Sequence, residues 1–183
     1  MRIISGTDRG RKLISLEESK VRPTTDKVKE SLFNILQFKI EGRVFLDLFA
    51  GSGQVGLEAL SRGAKDVFLV DAYRKSAAVI EKNIQVMTNK ASAHLFCEKA
   101  QSFLAGTTQK FDVAFLDPPY IEENTLISTL EAVVPKMSET GIVVCEHPAE
   151  EVLPDRVGDY VKKKSYRYGK IMLTTFEHYN YLS

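Results

Sequence analysis

Between residues 43 and 146, short apolar runs alternate with stretches of helical periodicity, and this alternation leaves few folds open. Val44-Phe45-Leu46 and residues 67–70, 93–97, 111–116 and 141–145 are the apolar runs. Strands buried on both faces read this way, without polar alternation. Between them, 54–61 carries Val55, Leu57 and Leu60, and 74–87 carries Ala77, Ala78, Ile80, Ile84 and Met87. Residues 124–134 read as a further helix. Strand and helix in alternation predict an α/β fold, with a mostly parallel sheet and helices on both faces. The tail differs. Residues 160–168 and 170–176 flank Gly169 and read as an antiparallel edge hairpin. Ahead of the core, Ile3-Ile4 and Lys12-Leu13-Ile14 predict a small β-ribbon around Gly6 and Gly10. Val28, Leu32, Phe33, Ile35 and Leu36 then fall at helical spacing, with Thr24 or Thr25 as N-cap. A length of 183 residues suits one domain, with ribbon and helix over 1–38 and the core over 43–183.

Composition removes several classes. Apolar residues make up 44% and charged residues 27%, as in soluble globular chains. No apolar run is long enough to span a bilayer, and the N-terminal residues lack the apolar stretch of a signal peptide. Cys97 and Cys145 both sit in apolar runs, which predicts two reduced core thiols and a cytoplasmic protein. His94, His147 and His178 have no ligand spacing, so no metal is expected. Net charge is only +1, yet basic residues cluster. Arg2, Arg9, Arg11 and Lys12 form one group; Lys162, Lys163, Lys164, Arg167 and Lys170 form another, among Tyr160, Tyr166 and Tyr168. Such clusters hold phosphates and stack bases, or are merely solvated hairpins; charge alone leaves both open.

The chemistry gathers where strands end. Gly51-Ser52-Gly53-Gln54-Val55-Gly56 follows the first core strand and opens a helix, and Asp71 ends the next strand. On pattern alone this is a dinucleotide fingerprint. Enzymes that use S-adenosylmethionine carry a similar glycine turn and a ribose-binding acid. Asp47, within Leu46-Asp47-Leu48-Phe49-Ala50, favours the second reading, because a carboxylate there repels a pyrophosphate and suits an ammonium. Asp117-Pro118-Pro119-Tyr120 follows the strand at 111–116, at the end where open α/β sheets build sites. The prolines fix φ and remove donors, leaving a stiff row of acceptors beside an aromatic ring. That arrangement suits a planar group bearing an amine. The alternative for Asp117 is a turn-forming residue before proline. Ser52 lacks the nucleophile-elbow pattern, so a hydrolase is not expected. Glu146-His147-Pro148 reads as a strand terminus rather than a cleft lining.

Asp47 to Gly53, Asp117 to Tyr120 and Arg22-Pro23-Thr24-Thr25-Asp26 together resemble class I methyltransferases of the RsmD type, in order and over nearly the whole chain. The resemblance implies a Rossmann-like, seven-stranded sheet and S-adenosyl-L-methionine as methyl donor. It implies methylation of a guanine N2 amine in bacterial 16S rRNA, free or in the small ribosomal subunit. A cytoplasmic monomer without metal or membrane partner is expected. By resemblance, Asp47, Phe49, Gly51 and Gly53 hold the methionyl part and ribose, and Asp71 holds the ribose hydroxyls. Thr24 and Thr25 lie over the cofactor, and Ala100 lies beside the adenine. Two positions depart from the family: Lys99 replaces a frequent acid or Asn, and Tyr73 a frequent second acid. Tyr73 either stacks on the cofactor or is a surface ring. For catalysis, Asp117 and the Pro118 carbonyl each accept one amine N–H, and Tyr120 stacks on the base beside Pro119. Arg9, Arg11, Lys163 and Arg167 are the candidate phosphate contacts. The rival activities are methylation of adenine N6 or of a glutamine side chain, and a dinucleotide-binding oxidoreductase.

Overall fold

The computed structural model describes residues 1–16, 26–119 and 125–181. The apolar runs become five parallel strands: β1 Val44–Leu48, β2 Asp66–Val70, β3 Ala93–Phe96, β4 Phe111–Leu116 and β5 Met137–Pro148. Their order is β3-β2-β1-β4-β5, so the chain travels outward from β1 and then returns to its other side. The carboxyl ends of β1 and β4 therefore flank the point where open sheets form a crevice. Helices α1 Asp26–Ile35, α2 Gln54–Ser61 and α3 Arg74–Gln85 cover one face, with Val28, Leu32, Val55, Leu57, Ile80 and Ile84 packed on Phe45, Val113 and Val144. Helices α4 Ala100–Gly106 and α5 Thr125–Val133 cover the other, where Phe103 and Leu130 pack on Leu46, Ala114 and Val143. Both faces are buried, which is why these strands lack alternation in sequence.

Antiparallel strands complete the sheet. β6 Arg156–Val157, β7 Tyr160–Tyr168 and β8 Ile171–His178 are added in the order β8-β7-β6, with Cys145 opposite Thr174 at the β5–β8 seam. The sheet has eight strands: the seven expected and the two-residue β6, which is too short to show a period. The hairpin around Gly169 is as expected, with a bulge at Lys163 between the paired Lys162 and Lys164. Strand β5 is longer than its apolar run, because Ser138, Glu139 and Thr140 extend it on an exposed stretch. Helix α4 was not expected; seven residues including Gln101, Ser102 and Gly106 are too few for a clear period. Cys145 is buried, but Cys97 is exposed and corrects the expectation of a core thiol. It lies one residue beyond β3, an edge strand of half-buried residues.

The N-terminal ribbon reduces to one bridge, Arg2 to Lys12, with Ile3 and Arg11 joined by a backbone bond of 2.9 Å. Glu58 of α2 anchors it. Its carboxylate accepts the Ile4 and Ser5 N–H groups at 2.8 and 2.9 Å and Arg62 Nε at 2.9 Å. Lys29 of α1 lies 3.6 Å from the same carboxylate and donates to the Arg2 carbonyl at 2.8 Å. Both side chains of this pair are fully buried, a placement tolerated because each charge is paired and hydrogen-bonded. Ribbon, α1 and α2 are thereby held over one face of the sheet. No helix among the described residues is long and apolar enough to cross a membrane.

Candidate active site

Side chains alternate along a strand, so residues two apart share a face. On β1, Asp47 shares the face of Phe45 and stands opposite Phe115 of β4. Just beyond β2, Asp71 follows Val67 and Leu69; after β4, Asp117 follows Val113 and Phe115; on β5, Glu146 follows Ile142 and Val144. All these apolar residues belong to the core beneath α1, α2 and α3. Parallel strands present their carboxyl ends together, so four carboxyls from four neighbouring strands meet at one rim of one face.

The glycine turn sits against two of them. Ala50 N–H donates to the Val70 carbonyl at 3.0 Å, and Gly53 N–H to the Ala50 carbonyl at 2.7 Å. The turn needs left-handed backbone at Gly51 (φ 59°) and Gly53 (φ 78°), and also at Phe49 (φ 66°). Phe49 is the sole non-glycine with positive φ among the described residues, a strain of about 1–3 kcal/mol of the kind stored at functional sites. Asp71 braces the turn: Oδ2 accepts the Gly51 N–H at 2.8 Å and Oδ1 the Tyr73 N–H at 2.9 Å. A carboxylate has further lone pairs, so these bonds leave room for ligand hydroxyls. Gly56 N–H donates to Asp47 Oδ2 at 2.8 Å. A Cβ on Gly56 would lie 2.6 Å from Leu69 Cδ2 and 2.9 Å from Val67 Cγ1, so only glycine lets α2 settle this close to β2.

Burial dominates the electrostatics. It pushes the Asp47 carboxyl up to about 8; the Gly56 N–H opposes the rise, and the charges of Asp117 and Asp71 add to it. Burial also raises Asp71, against bonds from Tyr73, Gly51 and Ser76. Glu146 rises to about 8, through burial first and the charge of Asp117 second. The folded chain holds these protons more tightly than the unfolded chain does. Their contribution to stability is therefore complete below about 4 and is lost as pH climbs toward 8.

Asp47, Gly51, Gly53 and Asp71 come together, and Asp117 is close enough to act on Asp47 electrostatically. Pro118 is buried and Pro119 half-buried beside it. Thr24, Thr25 and Tyr120 lie outside the described residues. Ala100 is buried at the start of α4 behind an exposed Lys99. Tyr73 is 69% exposed, open to a stacking partner or to water alike. Arg9 and Lys163 are exposed. Arg11 pairs with Asp8 at 2.9 Å and donates to the Val86 carbonyl, and Arg167 Nε donates to the Gly169 carbonyl at 3.0 Å. Ile3 and Leu13 of the ribbon and Tyr166 and Tyr168 of the hairpin pack on the same core, so both basic elements flank the face that carries the carboxyls. His147 is a core histidine, with Nε2 2.8 Å from Thr174 Oγ1. Among the described residues no three His, Cys, Asp or Glu side chains could hold a metal ion.

Two residues escaped the sequence. Asn83 is buried on α3, donates to the Ser52 and Ile14 carbonyls at 2.9 and 3.0 Å, and accepts the Ile14 N–H at 2.8 Å. It ties the glycine turn to the N-terminal segment. The available signal was an amide between Ile80 and Ile84 on an apolar helix face. Glu146 reads in sequence as a strand terminus, yet it is only 3% exposed and belongs to the rim.

The family model described as conserved hypothetical protein 95 matches residues 1–177. Bacillus subtilis YlbH is 39% identical over 173 residues, covering 92% of this chain and 94% of that one. Ribosomal RNA small subunit methyltransferase D of Escherichia coli K12 is 36% identical over 156 residues, covering 84% of this chain and 78% of that one. The solved structure of Escherichia coli yhhF superposes with a TM-score of 0.87 at 32% identity, over 97% of each chain.

Proposed function

Because the chain belongs to the conserved hypothetical protein 95 family, that of the RsmD-type methyltransferases, we propose that it methylates the exocyclic N2 amine of a guanine in 16S rRNA, with S-adenosyl-L-methionine as donor. The observation that carries this reading is the row of carboxyls at one rim, beside a left-handed glycine turn. The donor is a cation at both its sulfonium and its amine, and Asp47 is a buried carboxyl held back from ionising by burial and like charge. The two fit. Asp47, Phe49, Gly51 and Gly53 would hold the methionyl part and ribose, Asp71 the ribose hydroxyls, Ala100 the adenine side, and Thr24 and Thr25 the cover. The bound donor supplies an electrophilic methyl group.

The remaining work is positioning. A guanine amine is a poor nucleophile, because its lone pair is delocalised into the ring. Asp117 accepts one amine N–H and the Pro118 carbonyl the other, which turns the lone pair toward the methyl. The amine becomes acidic only as it is alkylated, and Asp117 then takes the proton or passes it to water. Pro119 and Tyr120 hold the base plane, a stacking contact of about 1–3 kcal/mol. Arg9, Arg11, Lys163 and Arg167 would meet RNA phosphates on the flanking ribbon and hairpin. The substrate is the small ribosomal subunit or its rRNA.

S-adenosylhomocysteine should raise the melting temperature and NAD should not, since a ligand that binds only the folded state stabilises it. With labelled donor and small subunits or rRNA lacking the modification, nucleoside analysis should return N2-methylguanosine. Label in N6-methyladenosine would overturn the assignment.

Donor binding should also follow the Asp47 proton. A cationic donor binds the ionised carboxyl, so below about 8 it must displace a proton. Affinity should fall by up to about tenfold per pH unit between pH 8 and 6. Calorimetry in two buffers of different ionisation heat reads the released proton directly. In Asp47→Asn the slope should flatten; an unchanged slope would assign the effect to another group.

A further inference from the structure

Glu146 is a rim carboxyl with no task in holding the donor. Its side chain is 3% exposed, and Oε2 has no hydrogen-bond partner among the described residues. A buried polar atom without a partner is costly, and in native structures such an atom calls for an explanation. Register supplies one. Leu116 of β4 stands opposite Cys145 of β5, so Asp117 and Glu146 come next in line on adjacent strands. Burial first, and the nearby Asp117 charge second, favour the protonated form of Glu146. A donor held next to whatever Asp117 holds would satisfy Oε2.

Guanine offers that pair of donors. Its N1–H and its N2 amine occupy adjacent positions on one edge and point the same way. We infer that Glu146 reads the target base, accepting the guanine N1–H while Asp117 accepts from the neighbouring N2 amine; this rests on the guanine-N2 reading above. Adenine and 2-aminopurine carry a bare lone pair at N1. Against the ionised Glu146 that lone pair meets a second acceptor, and Glu146 can satisfy it only by taking up a proton, a cost that grows as pH passes about 8. A site built to accept an N–H rejects an analogue without it far more strongly than a shape-based pocket rejects a small change in size. The guanine N–H also favours the ionised form of Glu146, so the cost of burying Oε2 is offset by the correct base.

The test uses 2-aminopurine, which keeps the amine and lacks N1–H. Small subunits are reconstituted with rRNA bearing guanine or 2-aminopurine at the nucleotide found to be methylated. Above about pH 8, where Glu146 gives up its proton, wild-type enzyme should methylate guanine faster by at least about 10²-fold. Glu146→Gln can accept from guanine and donate to 2-aminopurine, so its preference should shrink to within about tenfold. Melting with S-adenosylhomocysteine shows whether that variant is folded. A variant ratio equal to the wild-type ratio would overturn the inference. So would wild-type enzyme that methylates both bases equally, a result that needs no variant. Absence of N2-methylguanosine with wild-type enzyme on guanine-bearing subunits is a separate outcome: it removes the guanine-N2 reading itself, and this inference with it.

Discussion

Asp117→Ala should lower single-turnover methyl transfer to small subunits by at least about 10²–10³-fold, the scale set by losing one preorganised polar partner of a transition state. Donor binding should survive. The Asp117 charge raises both Asp47 and Glu146, so its removal lets each ionise more readily. Affinity for donor at pH 7 should therefore hold or rise, and the melting temperature should not drop. This split separates a catalytic Asp117 from one that merely shapes the turn before Pro118. A turn-forming residue would lose stability and keep its chemistry. Transfer within about tenfold of wild type in the folded variant would remove Asp117 from the mechanism.

Gly56→Ala should cost about 1–3 kcal/mol, the usual penalty for overpacking a close contact. For a chain of this size that is roughly 2–12 °C in melting temperature. The added methyl meets Leu69 and Val67 on β2, and it also lies 3.2 Å from Asp47 Oδ2. Helix α2 must move away, and it takes with it the N–H that Asp47 accepts. Affinity for S-adenosylhomocysteine should fall together with stability. Gly106→Ala is the control, since a Cβ there meets nothing within 4 Å. If both variants melt alike, close packing of α2 on β2 is not what the third glycine secures.

The parallel core could be read from the chain because strands covered on both faces leave only apolar letters, against which Asp47, Asp71 and Asp117 stand out. The glycine turn was legible for a related reason: its left-handed backbone admits few residues. What stayed hidden depends on contacts across the sequence. Cys97 looked buried because its run is apolar, but β3 lies at an edge, and strand order is not written in any one run. Helix α4 and strand β6 are shorter than the periods that would reveal them. Glu146 was passed over because its burial depends on the register of β5 against β4 and β8. Asn83 gave a local sign, an amide among isoleucines, whose meaning needed the carbonyls it reaches.

A broad open sheet invites other chains to pair with its outermost strands, whose N–H and C=O groups face outward. Here those outermost strands are β3, with four residues, and β6, with two. A neighbouring backbone would find a ladder too short to hold. The sheet thus escapes lateral fusion by trimming its two margins, without having to curl into a closed barrel.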